Sequence, residues 1–336
     1  MNIALITGIT GQDGSYLAEL LLKKNYKIIG LIRRSSNLTR SRIDHLTSNK
    51  NLILKYGDIT DYSNLLNIIS DYKPNEIYNL AAQSHVHVSF EMPFYTSNTD
   101  SLGFLNILDI VKFLKLDSKI YQASTSEMFG RVLEIPQKES TPFNPQSPYG
   151  FSKVFAHNAA KNYRESYDIF ASCGILFNHE SPRRAENFIT RKISLNVAKL
   201  KNNKIKKFSL GNVEAIRDWG YAPEYVYGMW LMLQQSKPDD FVLATNIKHS
   251  VKYFLEKSLQ YVGIEYEIVG EGIDFQVFSK NGNLIVDTDT KYYRPSEVDN
   301  LQGDYSKAKK ILKWEPKTNI DQLIKIMIDF DLTYTK

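Results

Sequence analysis

The chain has 336 residues, of which 43% are apolar and 24% charged, with a formal net charge of +5 and a single cysteine, Cys173. This composition excludes a disordered or fibrous chain, an internal disulfide framework and a multi-cysteine zinc site. The small positive excess suits an anionic small molecule and gives no sign of nucleic-acid binding. Apolar runs fall short of the ~18–20 residues that span a bilayer. The opening MNIALITGITGQDG lacks the charged-then-apolar pattern of a leader, so a cytoplasmic protein is expected, with no membrane partner.

In chain order, residues 2–7 form a short apolar strand. Residues 12–24 place Leu17, Ala18, Leu20 and Leu21 on one helical face, and 27–32 and 52–56 are again strand-like. Helices are expected at 62–72 and 99–114, and strands at 76–82, 119–123 and 169–177. Nearly all-apolar strands alternating with helices imply a parallel sheet covered on both faces, an α/β fold with a Rossmann-like doubly wound sheet. Beyond Asn178 the pattern loosens. Helices are expected at 188–200 and 222–235, and 241–245 returns to the sheet. The rest reads as short helices and turns with a polar loop near 270–283, and the basic run 199–207 reads as a solvated helix end and loop.

Gly8-Ile9-Thr10-Gly11-Gln12-Asp13-Gly14 follows the first strand and opens the first helix. Glycines at this spacing permit a tight turn, and the helix N-terminus offers N–H groups to a pyrophosphate. The second strand runs into Arg33-Arg34-Ser35-Ser36, with no carboxylate to meet a ribose 2′-hydroxyl. Two arginines and two serines suit a 2′-phosphate, so NADP is the expected cofactor. Asp58 is placed to meet the adenine, and Leu80, Ala81, Ala82, Gln83 and Ser84 follow the fourth strand, where small side chains and backbone line a cofactor.

The fifth strand runs into Ala123-Ser124-Thr125-Ser126-Glu127, and Tyr149 and Lys153 follow four apart, on one helical face. A lysine ammonium beside a phenol favours the phenolate; moving a tyrosine from ~10 to ~7 takes about 4 kcal/mol. His85 and His87 have no ligand partners at metal spacing, and Cys173 and Trp230 read as core.

The segments GITGQDGSYLAE, LAAQSHV, ASTSEMFG, SPYGFSK, FNHESPRR, RDWG and YRPSEVD span nearly the whole chain. Together they resemble the extended short-chain dehydrogenase/reductase superfamily and, within it, the GDP-mannose 4,6-dehydratase family. The resemblance implies a Rossmann domain over residues 1–177 and about 214–247, and a smaller C-terminal α/β sugar-nucleotide domain over about 178–213 and 248–336. It implies that Thr125, Glu127, Tyr149 and Lys153 are catalytic, and that Gly8 to Asp13, Arg34, Asp58, Ile59, Leu80 to Ser84, Tyr95, His179 and Arg184 contact NADP(H). Asn178, Lys192, Arg217, Arg294 and Glu297 would hold a GDP-sugar, joined by Ser84, Thr125 and Ser126. It also implies a homo-oligomer, a tetramer or a dimer, in which residues 33–42 reach a neighbour's cofactor site.

The chain departs from the family pattern at Ala185, at Phe94 and at Tyr221-Ala222-Pro223-Glu224 after RDWG. GDP-mannose is the first substrate expected and a GDP-manno-heptose the second. A sugar-nucleotide epimerase would need only Tyr149, Lys153 and cofactor. Glu127 weighs against it, because a buried carboxylate is costly unless used. A non-catalytic NADP- or RNA-binding relative is weighed down by the complete Thr–Tyr–Lys set.

Overall fold

The structure, a computed structural model, describes residues 1–35, 40–293, 298 and 300–336. The first half runs β1 (Ile3–Thr7), α1 (Gln12–Lys23), β2 (Lys27–Ile32), β3 (Leu52–Tyr56), α2 (Tyr62–Tyr72), β4 (Glu76–Asn79), α3 (Val86–Glu91), α4 (Pro93–Ser97), α5 (Gly103–Phe113), β5 (Lys119–Thr125), α6 (Pro148–Tyr167) and β6 (Ala171–Leu176). The second runs β7 (Asn178–Glu180), α7 (Ile189–Lys201), β8 (Phe208–Leu210), β9 (Ile216–Tyr221), α8 (Ala222–Leu233), β10 (Asp240–Leu243), β11 (Lys248–Ser250), α9 (Val251–Tyr261), β12 (Tyr266–Val269), β13 (Gln276–Ser279), β14 (Leu284–Thr288), α10 (Ser306–Leu312) and α11 (Ile320–Tyr334).

Seven strands form one sheet in the order β10-β6-β5-β4-β1-β2-β3, every pair parallel. One apolar cluster fills each face: Leu17, Tyr225, Met229 and Trp314 on one side, Leu5, Phe104, Ile107 and Ala156 on the other. The strand order reverses between β1 and β4, and a crevice opens there at the C-terminal ends of the strands. This is the doubly wound α/β fold expected from the apolar strands.

β8, β12, β13 and β14 form a second, four-stranded sheet, and β7, β9 and β11 a third. α7, α9 and α11 share a core with them, including Ile193, Phe254, Phe275 and Met327. These strands depart from the sequence reading, which had short helices and turns there. The polar stretch 270–283 contains β13, antiparallel to β12, because two of its apolar side chains, Phe275 and Val277, are fully buried. The tail is not all short elements: α11 has fifteen residues and opens on a capping box between Asn319 and Gln322. Among the described residues no helix is long and apolar enough to cross a membrane.

Candidate functional site

The turn from β1 to α1 passes directly beneath the exit of β4. Gly8 has φ +69, and a Cβ there would meet the carbonyl carbon and oxygen of Leu80 at 2.8 Å. A Cβ on Gly14 would stand 2.3 Å from the Gly8 oxygen. Only glycine permits these approaches. The Thr7 hydroxyl donates to Asn79 Oδ1 at 2.7 Å and accepts from the N–H groups of Leu80 and Ala81, which holds the two strand ends together. No side chain caps α1, and Gly11, Gln12, Asp13 and Gly14 line a cleft of about 1000 Å³. This uncapped helix start beside a glycine cradle fits a dinucleotide pyrophosphate.

His179 closes the turn from the other side. Its Nδ1 faces the Phe177 carbonyl at 2.7 Å and its Nε2 the Asp13 carboxylate at 2.8 Å, while the ring stacks on Tyr225. Burial disfavours the charged ring, but Asp13 outweighs it and the His179 pKa is raised. Asp13 is lowered in turn: burial opposes its ionisation, and the His179 charge and hydrogen bond prevail.

The reactive groups sit where β5 meets α6. Ser147 caps α6 by accepting from Gly150 N at 3.0 Å, with Pro148 in the first turn. The buried face of α6 carries Tyr149 and Lys153. Thr125 lies beside Tyr149, where its hydroxyl favours the phenolate, and Thr125 Oγ1 accepts from Glu127 N at 3.3 Å. Glu127 is buried on the single 3-10 turn after β5. Lys153 donates to the Ala123 oxygen at 3.1 Å. Among the protein's own groups, burial first, then the Asp100 charge, push Tyr149 up. Burial lowers Lys153, and Asp100 opposes that.

Asp100 is the group the sequence reading missed. It lies on a π-turn, Asn98–Leu102, that precedes α5. One oxygen accepts from Gln83 N at 2.7 Å; the other is buried with no hydrogen bond. Burial raises its pKa to about 6, against the pull of Lys153. No motif marks it, because only the local widening of the helix turns it inward.

The expected residues Gly8, Thr10, Gly11, Gln12, Asp13, Gly14, Arg33, Asp58, Ile59, Leu80, Ala81, Ala82, Ser84 and Tyr95 line one arm of the cleft. Thr125, Ser126, Glu127, Tyr149, Lys153, Asn178, His179 and Arg184 line its centre, and Lys192 and Arg217 its far arm. Four expected residues, Ile9, Gln83, Arg34 and Ser35, lie outside the lining. Ile9 is fully buried beneath the turn. Gln83 turns its amide to His85 O and Thr96 Oγ1. Arg34 donates to the Ser35 carbonyl, whereas Arg33 donates to the Tyr95 hydroxyl. Arg294, Glu297 and the segment 36–39 lie outside the described residues.

In the far arm Lys192 sits 3.3 Å over the Tyr292 ring, and burial together with Lys291 lowers its pKa to about 8. Arg184 pairs with Glu180 at 3.2 Å and lies over Phe188, whose ring meets His85 edge-on. Lys199, read as solvated, also lines this arm. The positions where the chain departs from the family, Ala185 and 221–224, do not line the cleft; Glu224 instead caps the chain at Lys317 and Thr318. His85 Nδ1 accepts from Val88 N and His87 pairs with Glu91, so neither is set for a metal.

A sequence model of the family described as GDP-mannose 4,6 dehydratase matches residues 5–327. The chain belongs to the GDP-mannose 4,6-dehydratase family. It is 53% identical to a human protein named GDP-mannose 4,6 dehydratase, over 98% of this chain and 91% of that one. It is 49% identical to a GDP-mannose 4,6-dehydratase of Vibrio cholerae serotype O1, over 98% and 94%. In fold it is similar to a dTDP-glucose 4,6-dehydratase of Bacillus anthracis solved in complex with NAD, with a TM-score of 0.81 at 20% identity, over 98% of this chain and 96% of that one. The family, the fold and the dehydratase class expected from the sequence are the ones found.

Proposed function

We propose that this chain converts GDP-D-mannose to GDP-4-keto-6-deoxy-D-mannose with loss of water, using a bound NADP that is not consumed. The observation that carries this reading is Glu127, a carboxylate buried beside Thr125 at the edge of the same cleft as Tyr149. Oxidation at C4 alone needs no such group; removing a C5 proton does.

The chemistry that a bound nicotinamide supplies is hydride uptake from C4 and its return at C6. Tyr149, beside Thr125, takes the C4 hydroxyl proton as the ketone forms. The ketone acidifies C5–H. Glu127 takes that proton and hands it to the C6 oxygen, which leaves as water while the C5–C6 double bond forms. A proton then returns to C5 as C6 is reduced. The sugar thus loses water with no net change of oxidation state.

Arg33 beside Tyr95 supports NADP over NAD, since a guanidinium at the adenosine arm suits a 2′-phosphate. Lys192 and Arg217 are the cations for the nucleotide diphosphate. Phe151 and Phe155, four apart on the outer face of α6, are both exposed, which supports a homo-oligomer through that face. A cofactor domain over 1–177 and about 214–247, a sugar-nucleotide domain over about 178–213 and 248–336, and a cytoplasmic location complete the reading.

The test is mass spectrometry of products from a panel of GDP- and UDP-sugars. A 4-keto-6-deoxy product from GDP-mannose is expected. Faster turnover of GDP-manno-heptose would reorder the sugars, and a C4 epimer without water loss would overturn the dehydratase.

A further inference from the structure

The buried face of α6 continues one turn past Lys153 to His157. Three of its side chains engage three consecutive residues of β5. Lys153 donates to Ala123 O at 3.1 Å, His157 Nδ1 meets Ser124 Oγ at 3.0 Å, and Tyr149 lies beside Thr125. Behind His157, its Nε2 lies 3.7 Å from Asp240 Oδ2 on β10, and Arg164 holds both oxygens of Asp240 at 2.9 and 3.0 Å. The Phe143 ring packs edge-on against the imidazole. Nothing in the reaction above uses His157, although it is a buried titratable group one turn from the catalytic lysine.

We propose that His157 is a positioning residue for the reaction: it ties Ser124, the neighbour of Thr125 on β5, to the helix that carries Tyr149 and Lys153. The inference rests on the dehydratase reading of those residues. Proton transfer from the C4 hydroxyl needs Thr125 and Tyr149 in fixed register, and β5 and α6 meet at the strand's open end, where the sheet ladder stops at Thr125. A slip of a fraction of an ångström there lowers the rate without weakening binding. The ring is the right kind of tie when neutral. Nδ1 then accepts from the Ser124 hydroxyl, and the Nε2–H points at Asp240. Burial favours that neutral ring, as do Arg164 and Lys161 on α6, with Asp240 on β10 opposing.

His157, Cys173 and Asp240 also bring a nitrogen, a sulfur and an oxygen within 4.8 Å of one another. Arg164 occupies both Asp240 oxygens, and burial pushes the Cys173 thiol well up. The cluster therefore reads as a tie and not as an ion site.

The experiment compares H157F, H157N, S124A and the double variant S124A/H157F for kcat, KM and thermal unfolding. H157F should lose roughly 10- to 100-fold in kcat with KM unchanged. H157N, whose side-chain oxygen can accept in place of Nδ1, should recover most of that loss. S124A should resemble H157F, and the double variant should be no worse than either single one, because both remove the same bond. Multiplying losses, H157N no better than H157F, or full activity in H157F would overturn the proposal. A substrate-free readout separates it from the functional reading: 15N NMR should show His157 as the Nε2–H tautomer, with an Nδ1 shift that moves in S124A. The opposite tautomer, or no response to S124A, would sink the tie whatever the substrate. The expected spectrum in a chain that turns over no GDP-sugar would support the tie and refute the functional reading instead.

Discussion

Lys153 donates its proton to the backbone oxygen of Ala123 at 3.1 Å, while its ammonium lies 5.7 Å from the centre of the Tyr149 ring. The lysine is thus fixed by the strand rather than by the phenol. The largest charge influence on both groups is Asp100, which adds to the rise of Tyr149 and partly offsets the burial that lowers Lys153. A carboxylate that the motifs do not mention sets the electrostatic background of the Tyr–Lys pair.

The first prediction follows from that carboxylate. The Asp100 pKa is about 6 in the folded chain, against 3.8 for an ordinary aspartate. The folded state therefore binds this proton more tightly than the unfolded state. Stability falls as pH rises from about 4 to about 6, and levels above that; at ~1.36 kcal/mol per unit the cost is on the order of 3 kcal/mol. Asp100→Asn keeps an oxygen for Gln83 N and removes the charge. Urea unfolding should find it more stable than the native sequence at about pH 8 and equal to it at about pH 4. Lower stability at the higher pH would mean that Lys153 holds Asp100 as a favourable ion pair.

His179 faces two acceptors, the Phe177 carbonyl and the Asp13 carboxylate, and only the imidazolium can donate to both. Burial pulls against the charge, and Asp13 overrides it. In Asp13→Asn burial and the Arg184 charge outweigh the Phe177 carbonyl, so NMR should find His179 titrating below its ordinary 6.5 instead of above it. The contribution of His179 to stability is full below ~6.5 and is lost as pH rises through its raised folded value. That of Asp13 is full above ~3.8 and is lost as pH falls through its lowered one. The pair therefore stabilises the turn most in the mildly acid range, and the variant should lose stability there.

Glu127→Gln preserves size and hydrogen bonding but not basicity. It should bind cofactor and GDP-sugar normally and lose dehydration by at least ~10²-fold, the usual share of a general acid–base group. In heavy water the native product should carry deuterium at C5, and the variant should cease to incorporate it. Near-normal dehydration in the variant would reduce Glu127 to a structural carboxylate.

Cofactor choice should lie with Arg33 more than Arg34, because Arg33 lines the cleft and reaches Tyr95 while Arg34 turns to Ser35. Losing a charge-assisted phosphate contact costs about 1.5–3 kcal/mol, or roughly 10- to 150-fold. Arg33→Ser should weaken NADP binding by that order and NAD much less, with a smaller effect from Arg34→Ser. Equal losses for both cofactors would remove the 2′-phosphate from the assignment.

Local chemistry was enough to read the large sheet, the glycine turn and the Tyr149–Lys153 pair. Each is written in a short stretch: apolar strands four to seven residues long, glycines three apart, and two side chains one helical turn apart. What folding alone decided depends on segments far apart in the chain. Arg33 rather than Arg34 meets the cleft because Tyr95, on α4, receives it. Asp100 turns inward because the helix widens beneath Gln83. His179 becomes a partner of the phosphate turn because β7 brings it back to Asp13, 166 positions earlier. β13 escaped notice because a strand of four residues between polar turns carries too short a periodic signal; its pairing with β12 and β14 supplies the strand. Periodicity and motifs record what neighbours in sequence must do. Burial, charge pairing and register arise only when distant segments meet, and those decided how the reactive groups are tuned.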